Sequence, residues 1–82
     1  RREERGERVH DREQAVTLYL QGLEIDPLFE DFYRGLMTTY GELGRQAEAL
    51  ASFERCRALL AKTLGIQPGA ETRALAERLR HP

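Results

Sequence analysis

The stretch GRQAEALASFERCRALL, from Gly44 to Leu60, carries small residues on the apolar face of a helix. Ala49, Phe53 and Cys56 follow one another at steps of four and three residues, so their side chains share one helix face. Small side chains let two antiparallel helix backbones approach closely, and a ring beside them fills the remaining space. The stretch therefore predicts a helix that packs tightly against an antiparallel neighbour.

A segment 34 residues upstream repeats this pattern. The matching pairs are Ala15 with Ala49, Tyr19 with Phe53, and Gly22 with Cys56. A period of 34 residues is that of the tetratricopeptide helix-turn-helix array. The helix between the two segments carries Tyr33, Leu36 and Tyr40 where the tetratricopeptide signature has W-x2-L and Y. The alternative is an ordinary helical bundle in which this single period match is a coincidence.

Apolar residues at helical spacing predict helices over residues 13–25, 27–43, 45–64 and 70–80. Asp26 and Pro27 are expected to end the first helix and begin the second, with Pro27 at its first position. Gly44 and Gly65 are expected to end the second and third helices in the left-handed conformation. Residues 1–12 are predicted to form a charged tail or the remnant of a preceding helix.

No β-type alternation accompanies these helices, so the predicted fold is all-α. Residues 13–82 are predicted to form about one and a half tetratricopeptide-like repeats with a C-terminal capping helix. Because the chain begins at Arg1 rather than Met, we expect it to be a fragment of a larger protein. The first repeat lacks its own leading helix, which predicts an open face for a missing hairpin or a second copy.

Charge and composition exclude several classes of function. The formal net charge of −1 does not favour a nucleic-acid partner. The amino-terminal arginines could be interpreted as a phosphate-binding tail, but acidic residues alternate with them (Arg1, Arg2, Arg5, Arg8 and Arg12). No signal peptide or apolar run of membrane-spanning length occurs, and one cysteine forms no internal disulfide. We therefore expect a cytoplasmic protein that contacts neither membrane nor DNA directly.

Catalytic and metal-binding patterns do not emerge from the sequence. His10 and His81 lie near opposite ends of the chain, and Cys56 is predicted on the packing face. No spacing resembles a metal site or a nucleophile with its base. A ligand-sensing domain would need a closed apolar pocket, which so short a stack is not expected to build. We predict a protein without enzymatic activity, cofactor or small-molecule ligand.

One polar face of the second predicted helix is a candidate interaction surface. Its members are spaced by three or four residues and carry both signs of charge: Asp31, Arg34, Thr38 and Glu42. The first helix of each hairpin lines the tetratricopeptide groove, so this face could receive a peptide or a neighbouring domain. Plain solvent-exposed surface is the alternative interpretation.

Five motifs between Leu23 and Leu75 carry a more specific resemblance. They are DPL-x-E at residues 26–30, LM-x-x-Y at 36–40, GR-x-AEAL at 44–50, ERCR-x-LL at 54–60, and LGI-x-P followed by ET at 64–72. Together they resemble the bacterial transcriptional activator domain. Where that family often has Ser-Pro, this chain has Gly69-Ala70, so we expect the last helix to be poorly capped and to fray.

The resemblance implies an interaction or oligomerisation module of a bacterial transcriptional regulator. Its implied partners are a second copy, other domains of the same regulator, or polymerase. The alternative function is a general tetratricopeptide scaffold that binds a peptide or protein outside transcription.

Overall fold

A computed structural model describes residues 2–81, with side chains from Arg8 to His81. It contains four α-helices: α1 (Arg2–Ile25), α2 (Glu30–Glu42), α3 (Gln46–Leu64) and α4 (Ala70–Arg80). No strand occurs in this described part of the chain, and the all-α prediction is confirmed. The tetratricopeptide character of the hairpins stays a prediction.

Helix α1 extends much further toward the amino terminus than apolar spacing predicted. It begins at Arg2, so the charged segment is continuous with the predicted helix over residues 13–25. Arg and Glu are good helix formers, and opposite charges three or four residues apart support a helix without any apolar stripe. Apolar periodicity therefore could not locate this start.

Helix α2 begins at Glu30, so the prediction that Pro27 occupies its first position is wrong. Asp26 and Pro27 do follow the last residue of α1, but the chain then makes a turn in which the Phe29 N–H donates to the Asp26 carbonyl at 3.3 Å. The hydroxyl of Tyr33 donates to the Pro27 carbonyl at 2.7 Å. This contact holds the turn against the first part of α2, which explains the later helix start.

Two glycines end helices as predicted. Gly44, just after α2, has φ +75°, and Gly65, the C-cap of α3, has φ +66°. In both cases the left-handed backbone redirects the chain, which strains any residue with a Cβ atom. The short link at Gly44 joins α2 and α3 into a helical hairpin.

Helices α1 and α2 run antiparallel, with aromatic rings of each helix packed on glycines of the other. The ring of Tyr19 lies on Gly35, and the ring of Phe32 lies on Gly22. The two ring centroids are 6.3 Å apart. The absence of a side chain at these two glycines lets the helices approach closely, and the rings fill the crossing.

Helix α2 occupies the centre of the fold. It contacts α1, α3 and α4, whereas α1 contacts only α2 among the described helices. The main core joins side chains of α1, α2 and α3: Val16, Leu23, Tyr33, Leu36, Tyr40, Ala49, Cys56 and Leu60. A second, smaller cluster joins Met37 of α2 and Phe53 of α3 to Ala76 of α4. One face of α1 is thus left without a helical neighbour.

Candidate functional site

The residues predicted to pack the repeat lie in two kinds of surroundings. Six are buried: Tyr33, Leu36, Tyr40, Ala49, Phe53 and Cys56. Three on α1 are partly buried against α2: Ala15, Tyr19 and Gly22. Phe53 is covered by α4 through Ala76, and the Arg80 guanidinium lies 5.6 Å from its ring centroid.

The predicted polar face of α2 is divided between two neighbours. Asp31, Thr38 and Glu42 are exposed, while Arg34 is partly buried. The Arg34 side chain points toward α4, where it bonds to Thr72. Asp31 forms an ion pair with Arg34. At the other end of the helix, Glu42 pairs with Arg12 of α1 at 3.5 Å between Oε1 and Nε. The four residues therefore do not form one continuous site.

At the Arg34 end, side chains of α2 hold the amino terminus of α4. Glu30 Oε1 accepts a hydrogen bond from the Gly69 N–H at 2.9 Å and another from the Thr72 hydroxyl at 2.8 Å. Arg34 Nη1 donates to the same hydroxyl oxygen at 2.9 Å. We call Glu30 and Arg34, which bind Thr72 of α4, the α4 clamp. Thr72 is fully buried, so its hydroxyl needs these partners.

The α4 clamp replaces the local cap that the sequence lacks. Gly69, the N-cap residue of α4, offers no side-chain hydrogen bond. A carboxylate at a helix amino terminus binds free N–H groups and favours the positive end of the helix dipole. Here that carboxylate is Glu30, which is distant in sequence. Glu30 ends the DPL-x-E motif and Thr72 ends the ET motif, so two motifs that carried the family resemblance are in contact.

At the Glu42 end, α1 and α2 border an open cleft of about 400 Å³. Its lining residues are Arg8, Asp11, Arg12, Ala15, Thr39 and Glu42. Two arginines and two acidic residues face it, so the positive charge predicted for a phosphate-binding tail is compensated here. Arg1 lies outside the described residues, and Arg2 and Arg5 lie outside the described side chains.

The face of α1 opposite α2 is exposed and uncharged over three turns. It carries Gln14, Leu18, Gln21 and Ile25, at steps of four, three and four residues. Leu18 is 66% exposed and Ile25 is 88% exposed. We call these four residues the outer face of α1. The adjacent Tyr19 belongs to the opposite face, where it packs on Gly35.

Cys56 is buried in the main core, and its thiol is expected to be unreactive. Burial raises the pKa of the Cys56 thiol to about 11, with nearby Glu30 adding to the rise and Arg34 opposing it. A protonated thiol is a poor nucleophile and metal ligand.

Within residues 2–81, no group of His, Cys, Asp and Glu side chains that the structure describes is placed to hold a metal ion. None of the described helices combines the length and apolar character needed to cross a membrane.

Comparison with known proteins places these features in a family. A model of the bacterial transcriptional activator domain matches residues 2–80. The chain is 39% identical over 69 residues to the transcriptional regulatory protein EmbR of Mycobacterium bovis, and equally to EmbR of two Mycobacterium tuberculosis strains. The match covers 83% of this chain and 18% of each relative, so the chain spans about a fifth of their length. No solved structure matches the chain.

Proposed function

The chain belongs to the bacterial transcriptional activator domain family, and from this premise we propose that it is a non-catalytic protein-interaction module of a bacterial transcriptional regulator. The relatives carry the name of transcriptional regulatory protein. In this proposal the chain acts in the cytoplasm and contacts protein, while another part of the regulator reads DNA.

The outer face of α1 is the observation that carries this proposal. A third of the residues in this chain are charged, yet the four residues of this face are not. Two of them expose most of an aliphatic side chain to water. Burying a Leu or Ile side chain completely contributes about 1.5–3 kcal/mol. A partner helix that covers this face would thus gain apolar contacts without burying an unpaired charge.

The partner we propose is a second copy of the chain. An antiparallel pair of outer faces related by a two-fold axis places the same residues on both sides of the contact. No like charges oppose each other in such a pair, because the face is uncharged. One helix face supplies much less than the roughly 800 Å² per partner of a typical stable complex. We therefore expect weak, concentration-dependent association of the isolated chain.

Light scattering across micromolar to millimolar concentrations tests this proposal. The parent chain is expected to rise in average mass with concentration, and Leu18→Glu is expected to stay monomeric. Leu64→Glu is the matched control, because Leu64 is 55% exposed but lies on α3. A parent chain that stays monomeric at every concentration, or equal losses in both variants, would contradict the proposal. Tyr19→Glu is unsuitable, since it would disrupt the packing of α1 on α2.

A further inference from the structure

Helix α4 packs on the rest of the fold through Thr72 and Ala76, which are buried, and follows an exposed connection. It contacts α2 and α3 but not α1. In the connection over residues 65–69, only Pro68 is buried. Helix α4 has 11 residues, and isolated helices of that length are marginal in water. Its helical state therefore depends on being docked.

The surface beneath α4 recognises both ends of a short amphipathic helix. At one end the α4 clamp binds the first turn through a backbone N–H and a hydroxyl. At the other end, the Gln46 side-chain amide donates to the Leu79 carbonyl. These two contacts fix the direction in which a helix lies on this surface.

The floor between these ends is apolar and adaptable. Met37 and Phe53 form it, and Ala76 packs directly on them. Gly41 borders it, and a Cβ atom at Gly41 would lie 3.0 Å from Leu79 Cδ2. Methionine has a flexible side chain that accommodates more than one apolar partner. We call this surface, bounded by the α4 clamp and Gln46, the α4 groove.

We propose that α4 is a detachable latch, and that the α4 groove of an opened chain binds the α4 helix of a second copy. The second copy is the occupant whose fit is already known, because its α4 presents the same threonine, alanine and leucine contacts. Exchange of an identical element needs no new interface and only an opened connection. The short tether gives the chain's own α4 a high effective concentration, so the closed form dominates in dilute solution.

Hydrogen exchange of the parent chain tests whether α4 detaches by itself. We expect the amides of residues 75–80 to exchange at least tenfold faster than those of the buried part of α3. Glu30→Gln removes the carboxylate from the α4 clamp and should accelerate α4 exchange by about tenfold more. Glu24→Gln is the control, because Glu24 is exposed on α1. Equal rates in α3 and α4, or equal acceleration of all four helices, would overturn the proposal.

A labelled peptide of residues 67–80 tests whether the groove accepts α4 from outside. Ala76→Asp in the chain should release the tethered α4 while leaving the α4 groove intact. Fluorescence anisotropy is expected to show the peptide binding this variant at least tenfold more tightly than the parent. A peptide that itself carries Ala76→Asp is the control and should bind neither chain.

Two results would contradict the proposed binding of α4 from a second copy. One is equal or absent peptide binding by the parent and the Ala76→Asp chain. The other is loss of helicity throughout the Ala76→Asp chain, which would make α4 an integral part of the core. Leu18→Glu should leave exchange rates and peptide binding unchanged, which separates the latch from association through the outer face of α1.

Discussion

Replacing Gly22 with alanine is expected to destabilise the fold, although alanine is the better helix former. The new Cβ atom would lie 2.6 Å from Cε2 of Phe32. The Phe32 ring has little room to move, because it packs edge-on against Phe29 at 4.7 Å and tilted against Tyr19. Overpacking of this kind costs about 1–3 kcal/mol. Alanine regains about 1 kcal/mol of helix propensity, so the net loss is up to about 2 kcal/mol.

A double-mutant cycle with Phe32→Ala isolates this clash. Once the ring is removed, Gly22→Ala should stabilise the chain by about 1 kcal/mol, so the sign of its effect reverses. Urea unfolding followed by circular dichroism measures each free energy, and 1 kcal/mol corresponds to a shift in Tm of about 4–8 °C for a chain of this size. Stabilisation by Gly22→Ala in both backgrounds would refute the ring-on-glycine packing.

Three further predictions concern the core and the α4 clamp. Ala49→Leu should lower the free energy of unfolding by about 1–3 kcal/mol, whereas the exposed Ala51→Leu should change it by less than about 0.5 kcal/mol in thermal melts. Thr72→Val should cost about 1–3 kcal/mol, because Glu30 and Arg34 lose a hydrogen-bond partner, and Thr72→Ser should restore most of it; equal losses would show that the hydroxyl is unimportant. The raised pKa of Cys56 favours the folded state below pH 9, and this contribution should be lost as the pH rises from about 9 to 11. Cys56→Ala should flatten that decline in urea titrations, and an unchanged pH profile would contradict the assignment.

The helix ends that the sequence predicted correctly depend on local backbone chemistry. Gly44 and Gly65 mark their turns because a left-handed residue is required there whatever surrounds it. The start of α1 was missed because a charged helix has no apolar stripe to reveal it. The start of α2 was misplaced because the hydroxyl of Tyr33 holds the Pro27 carbonyl in a turn, a contact that residue preferences do not encode.

The polar contacts of the candidate site were less accessible to sequence reasoning. Arg34 was predicted as an interaction residue from its helical spacing, but one of its hydrogen bonds goes to Thr72 of α4, 38 residues away. Likewise, the weak cap at Gly69 was visible in the sequence, while its replacement by Glu30 depends on how α4 packs. The repeat pattern marked Tyr19 as a packing residue, but the exposure of the adjacent apolar Leu18 follows from the placement of α2.

The most direct test of the proposed module is an NMR dilution series of the parent chain with backbone amides assigned. Association through the outer face of α1 predicts concentration-dependent shifts centred on Gln14, Leu18, Gln21 and Ile25, with the amides of α3 unchanged. Shifts centred instead on Arg34 and α4, or spectra that do not change with concentration, would contradict self-association through this face.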